Sequence, residues 1–401
     1  MKSSSTASPL RIAFISSCDG DWGGSEELWA GTALALAQAG HHVQGFKTNV
    51  TSHPRLQALR AAGCPVTELA PAVPVRYRIA NRLLPVSRQF TSQKMGFDLL
   101  RQHLRAFRPD VVLVSQGSNY DGCAFANLCR QEGLAYALLS QKAPHSTAPH
   151  AHERTVAQQV FQAARRAFFV SRHNLELTQL QLGVALPAAE VVWNPYNVAF
   201  QGELPWPAAT DGALRLACVA RLFLSDKGQD ILLQVLAQDK WRQRKLHLTL
   251  YGAGPDEEII RGMISFLGLE NTVCLGGHVA DVAQVWSTHH ALILPSRYEG
   301  LPLALVEAML SGRPTIASDA GGIIELLVDN ETGFVASGIT FLALDEALER
   351  SWAKRASWAQ MGAEAARQAR AVVPADTLEL LAHKLLQIVH EERAAAGPGV
   401  A

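Results

Sequence analysis

Two Rossmann-like α/β domains, facing each other across a crevice, are the architecture this sequence predicts, and three observations carry the prediction. The chain has 401 residues, more than one core sustains, since cores stop growing at roughly 250–300 residues. Short apolar runs alternate with longer amphipathic stretches, the pattern of repeated βαβ units around a parallel sheet. That pattern halts at a segment rich in Pro and Gly, NPYNVAFQGELPWPAATDG (194–212), and then restarts.

In the first half the runs LRIAFISS (10–17), HHVQGF (41–46), DVVLVS (110–115), AYALLS (135–140) and RAFFVS (166–171) read as strands buried on both faces. Residues 25–39 and 122–132 have the length and composition of crossover helices. After the break come LRLACVAR (214–221), LHLTLYGAG (246–254), ALILPS (291–296) and PTIASD (314–319), again strand-like. The expected organisation is an N-terminal domain over 1–200 and a C-terminal domain over 201–375. A last helix, about 376–394, is a candidate to pack back on the first domain. In such folds a ligand lies in the crevice outside the strand carboxyl ends.

Composition removes several function classes. The 36 basic residues equal the 36 acidic ones, which argues against a nucleic-acid partner held by a large basic surface. The six cysteines include no C-x-x-C pair and no dense framework, so neither a zinc knuckle nor a disulfide scaffold is expected, and a cytoplasmic location fits. No run approaches the ~18 apolar residues of a spanning helix, and IAFIS after the polar start is too short for a signal-peptide core.

The segment PSRYEGLPLALVEAMLSGRPTIASDAGGIIE (295–325) carries the most chemistry. A strand ends in a loop holding Glu299 and Gly300; Pro302 suits the first turn of a helix and Gly312 its end. Helical side chains lean toward the N-terminus, so the Glu307 carboxylate reaches back toward Glu299. The helix start offers unpaired NH groups and the positive end of a dipole to a phosphate. The backbone of Gly300, Leu301, Leu303 and Ala304 is therefore a candidate phosphate cradle. Two carboxylates that accept hydroxyls suit a ribose at one and a hexose at the other.

The form EGLPLALVE resembles the signature of glycosyltransferase family 4, the retaining group 1 glycosyltransferases of GT-B fold. Arg221, which closes LRLACVAR, and Lys227, in SDKGQD, are similar to the family's basic pair. YGAGPDEE (251–258), LGGHVADV (275–282) and DAGGIIELLVDNETGF (319–334) also resemble family segments, so the likeness covers most of 214–336. The resemblance implies a metal-independent, retaining transfer from a nucleotide diphosphate sugar (UDP-, GDP- or ADP-linked), with no cofactor, to a glycan, lipid-linked or small-molecule acceptor. Glu307 would bind the ribose, Glu299 the donor sugar, and Arg221 with Lys227 the leaving diphosphate; Gly252 and Gly254 fall on the donor side. DGDWGGSEELWAG (19–31) resembles the family's glycine-rich loop, with Gly23 and Gly24 allowing close approach to phosphate and Ser25 and Glu26 capping the next helix. Where the family often places an acceptor-side histidine, AYALLSQ ends in Gln141, so that either Gln141 or the nearby His145 takes its place.

Other readings compete at several positions. YGAGP fails the G-x-G-x-x-G spacing, because position 257 is Glu, so NAD is not expected. His145, His150 and His152 sit in a proline-interrupted stretch that reads as a loop rather than a metal site. Cys123 and Cys129 read as apolar packing. The stretch 76–108 has Arg76, Arg78, Arg82, Arg88, Lys94, Arg101, Arg105 and Arg108 against only Asp98, which is either a solvated face or a site that attracts anionic lipid, as a peripheral membrane contact, or a phosphorylated acceptor. At the level of activity, a nucleotide-sugar epimerase of the same fold and a catalytically silent sugar-nucleotide binding module are the alternatives to a transferase.

Overall fold

A computed structural model describes the chain apart from residues 1–7, 19–21, 51–52, 71–72, 74–76, 78–80, 82–84, 86–90, 203, 209–211 and 396–401. It divides into two compact units, Met1–Val170 with Asn174–Val192 and Asp376–Ala401, and Ser171–His173 with Trp193–Ala375. The second unit begins at Trp193, eight residues before the boundary expected at 201, because Trp193, Tyr196, Val198 and Phe200 pack against a core cluster of that unit. Apolar side chains, rather than the proline content, decide which unit this segment joins.

The first unit is built on a parallel seven-stranded sheet ordered β3-β2-β1-β4-β5-β6-β7. Its strands are β1 Arg11–Ser16, β2 His42–Lys47, β3 Val66–Glu68, β4 Val111–Gln116, β5 Tyr136–Ser140, β6 Arg166–Phe169 and β7 Ala189–Val191. Side chains alternate across a strand, so Ile12 and Phe14 join one core cluster while Ala13 and Ile15 join another on the opposite face. The C-terminal helix Thr377–Ala395 belongs to this unit, with Leu381, Leu385, Ile388 and Val389 in the same cluster as Trp29.

The second unit has a parallel six-stranded sheet ordered β10-β9-β8-β11-β12-β13. Its strands are β8 Leu214–Val219, β9 Leu246–Tyr251, β10 Val273–Gly277, β11 Ala291–Leu294, β12 Thr315–Ser318 and β13 Gly333–Ala336. β8 and β11 pair directly, Ala291 opposite Leu216 and Leu292 opposite Ala217. The strand order turns back on itself between these two, so the loops leaving their carboxyl ends open the crevice where ligands of such sheets bind. Among the described residues no helix is long and apolar enough to cross a membrane.

Candidate active site

The switch between β8 and β11 brings Lys227 to Glu299. The Lys227 Nζ donates to Glu299 Oε1 at 2.7 Å, with the carboxylate side chain 8% exposed and the lysine 21%. Lys227 ends a single helical turn, Leu224–Lys227, that follows β8. Gly228 stops that turn in the left-handed region, at φ +63°, where a side chain would be strained. A Cβ there would also lie 2.1 Å from the Pro295 carbonyl oxygen, so only glycine lets the two loops touch.

The loop after β11 leads into the helix Leu303–Leu310. Pro302 is its N-cap in extended backbone, one position earlier than the sequence reading placed it; its carbonyl accepts from Leu305 N at 3.2 Å. Ahead of that bond the NH groups of Leu303 and Ala304 open the helix, where no preceding turn offers them a carbonyl. Gly312, at φ +74°, lies just beyond the helix end.

Every residue of that helix but Leu303 is buried, Glu307 included at 4%. A carboxylate so placed costs free energy unless it is hydrogen-bonded. Asn197 supplies two donors to Glu307 Oε1, its backbone NH at 2.9 Å and its side-chain amide at 3.1 Å. Asn197 thus holds a candidate site residue, a contact that sequence reasoning missed because Asn197 sits in the segment read as a linker.

Arg221 is exposed, and its guanidinium carbon lies 5.4 Å from the centre of the Phe223 ring. Gln229 Nε2 donates to the Arg221 carbonyl at 2.9 Å and closes the loop between the two expected cations. Gly252 and Gly254 pack against this same loop: a Cβ would lie 2.0 Å from Ala220 O at the first and 2.1 Å from Leu222 O at the second. Chain packing alone therefore accounts for glycine at both. Gly321, at φ +58°, is pressed against the backbone of Glu299, and Gly322 N donates to Gly300 O at 2.6 Å. Beneath the site the Cys218 thiol is pushed up to about 12 by burial, which keeps it protonated.

In the first unit the glycine-rich loop differs from expectation. Gly23 is the N-cap and Gly24 the first residue of the helix Gly24–Gln38, which has no side-chain cap. Ser25 and Glu26 thus lie within the first turn. Glu26 turns into the core instead, accepting from Ser16 Oγ at 2.8 Å and Trp29 Nε1 at 2.6 Å, with the buried Lys47 ammonium 3.8 Å away. A Cβ at Gly23 would meet nothing within 4 Å, so packing does not demand glycine there.

Gln141 is buried beside the end of β5, its NH donating to Gln116 O at 3.0 Å, whereas His145 is exposed in a short turn, His145–Thr147. His152 is on the helix Ala151–Ala163 and His150 is its N-cap, so only His145 keeps the loop placement. Cys123 and Cys129 are buried, and burial pushes both thiols up to about 12. Of the basic stretch, Arg76, Arg78, Arg82 and Arg88 lie outside the described residues. Arg101 and Arg105 both pair with Glu132, at 3.2 and 2.6 Å, a counter-charge from outside the stretch that its own composition hides. A concavity of about 990 Å³ on the second unit, lined by Lys354, Gln360, Glu364 and Arg367 among others, contains none of the expected site residues.

Residues 213–353 match the family described as Glycosyl transferases group 1. The match lies within the second unit, which is therefore similar to the group 1 glycosyltransferases. The chain is 28% identical over 128 residues to the alpha-D-kanosaminyltransferase of Streptomyces kanamyceticus, covering 31% of this chain and 33% of the relative. A GDP-mannose-dependent phosphatidylinositol monomannoside mannosyltransferase of Mycobacterium tuberculosis is 31% identical over 172 residues, 38% of this chain and 44% of that protein. The chain thus spans less than half the length of the curated relatives it matches. Across nearly the whole chain it superimposes on HepE of Anabaena, solved in complex with UDP, with a TM-score of 0.72 at 18% identity, covering 94% of this chain and all of HepE. The chain therefore has the GT-B fold.

Proposed function

We propose that the chain is a retaining glycosyltransferase that moves a sugar from a nucleotide diphosphate donor to a hydroxyl acceptor without a metal. The observation that carries this reading is the Lys227–Glu299 contact at the β8/β11 switch, in the unit similar to the group 1 glycosyltransferases and one loop away from the helix Leu303–Leu310. Breaking the bond from anomeric carbon to phosphate oxygen builds positive charge on the sugar and negative charge on the departing diphosphate. Cations already in place where the negative charge develops lower that barrier without reorganising. Lys227 and Arg221 serve this purpose together with the NH groups of the helix start; Gly300 and Leu301 lead the chain into it.

Glu299 binds the donor sugar's hydroxyls and Glu307, held by Asn197, binds the ribose. Gly252 and Gly254 bring the loop after β9 onto the one carrying Arg221, and in the first unit Gly23 and Gly24 leave exposed backbone that suits a phosphate. The donor class finds support in HepE, which binds UDP, and in the GDP-mannose dependence named for the mycobacterial relative. The same relative's phosphatidylinositol mannoside substrate favours a lipid-linked acceptor met by the stretch 76–108 at the inner face of the membrane.

Incubating the protein with UDP-, GDP- and ADP-hexoses, with and without acceptors, tests the reading when sugar release and anomeric configuration are followed by NMR. Transfer with the donor's configuration kept is the expected result. Acceptor-independent interconversion of the donor sugar would indicate an epimerase, and binding without release a silent module.

A further inference from the structure

The two loops that join Lys227 to Glu299 also share an ion pair to which the donor chemistry assigns no part. Arg297 presents both terminal nitrogens to Asp230, Nη1 to Oδ1 and Nη2 to Oδ2 at 2.7 Å each. Nη1 also donates to the Leu224 carbonyl at 2.6 Å. The backbone follows the same course, Arg297 N and Tyr298 N both donating to Asp226 O at 2.7 and 3.1 Å. These contacts bracket the reactive pair, since Arg297 stands two residues before Glu299, and Asp226 and Asp230 lie on either side of Lys227.

We infer that Arg297 and Asp230 are positioning residues, a clamp that fixes the loop after β8 against the loop after β11 and so sets the register of Lys227 with Glu299. The inference rests on the donor reading above. A lysine is a point charge on a flexible stem, and nothing in its own chemistry fixes where the ammonium sits. A two-point guanidinium–carboxylate fork fixes distance and angle together, and a lysine in place of the arginine cannot reproduce it. A two-point pair whose side chains are only 25% and 20% exposed contributes to stability as well, so its structural and positioning roles are separated by comparing melting with turnover. Its consequence lies in placement: displacing a catalytic group by about 1 Å can cost on the order of a hundredfold in rate.

The test compares donor turnover by Arg297→Lys and Asp230→Asn with wild type, each also in a Lys227→Ala background, at a temperature where all are folded by thermal melting. The donor is the one the wild type uses among UDP-, GDP- and ADP-hexoses. A clamp acting through Lys227 predicts a fall in kcat of about tenfold in each variant, donor KM within about twofold, and almost no further loss once Lys227 is Ala. Equal fold-losses in the two backgrounds, or lowered melting with wild-type kcat, would mean a structural pair and overturn the inference. Asp230→Asn keeps shape and size, so the question stays answerable if Arg297→Lys folds poorly. A wild type that transfers sugar from none of the donors is a separate result, which overturns the donor reading and this inference with it.

Discussion

Lys227 and Glu299 hold each other's charge, and that gives the lysine two separable roles. Toward a diphosphate it is an electrostatic stabiliser, and deleting one such group costs on the order of a hundredfold in turnover. Toward the 8%-exposed Glu299 side chain it is a partner whose loss leaves a carboxylate largely uncompensated. Lys227→Ala is therefore expected to lower both turnover and melting temperature. Adding Glu299→Gln should restore the melting temperature but not the turnover; wild-type turnover by Lys227→Ala at saturating donor would contradict the role. Glu299 and Glu307 stand out in the sequence by type and spacing and Lys227 by a family resemblance, and the fold brings Lys227 to Glu299. Asn197 and the clamp were not legible: a linker asparagine and a loop arginine have no spacing of their own, and they matter only once folding brings them to Glu307 and Asp230.

Among strands, legibility followed burial. Those buried on both faces, such as β4 with VVLVSQ, appear in the sequence as unbroken apolar runs. β3, β7, β10 and β13 went unread, and each is the edge of its sheet, at most five residues long and, apart from β13, partly exposed. An edge strand needs neither two apolar faces nor length, so periodicity has little to register. The entry to β11 carries a pH dependence. His289 and His290 are buried there, His290 Nδ1 accepting the Arg215 NH at 3.0 Å. Burial first, then nearby Arg215, holds both imidazoles below the ordinary 6.5, and for His290 Arg313 and His289 add to this. The unfolded chain takes up these protons below 6.5 and the folded chain only at lower pH. Their contribution is thus complete above that value and declines as pH falls through the window beneath it. Melting temperatures from pH 7 to about 5 should fall, and His290→Asn, whose Oδ1 can still accept from Arg215, should flatten the slope. An unchanged slope would show that His290 does not titrate as described.

Over the whole molecule the charges cancel, 36 against 36, so any attraction to a membrane has to come from local bias such as that of 76–108. The pairing of Arg101 and Arg105 with Glu132 shifts that bias onto the rest of the stretch. The lipid-linked reading predicts co-sedimentation with vesicles containing anionic lipid that weakens as salt rises, since surface charge is screened over ~10 Å at 0.1 M. Changing Arg76, Arg78, Arg82 and Arg88 to Ser should release the protein, and salt-insensitive recovery of the wild type in the supernatant would remove that acceptor class. The central claim, that the second unit holds a nucleoside diphosphate with its ribose on Glu307 and its sugar on Glu299, is tested most directly by calorimetric titration of UDP, GDP and ADP. One of them should bind the wild type, Glu307→Ala should weaken that binding by about tenfold or more, and Glu299→Ala should leave it nearly unchanged. Binding of none of the three, or equal weakening by the two substitutions, would contradict that claim.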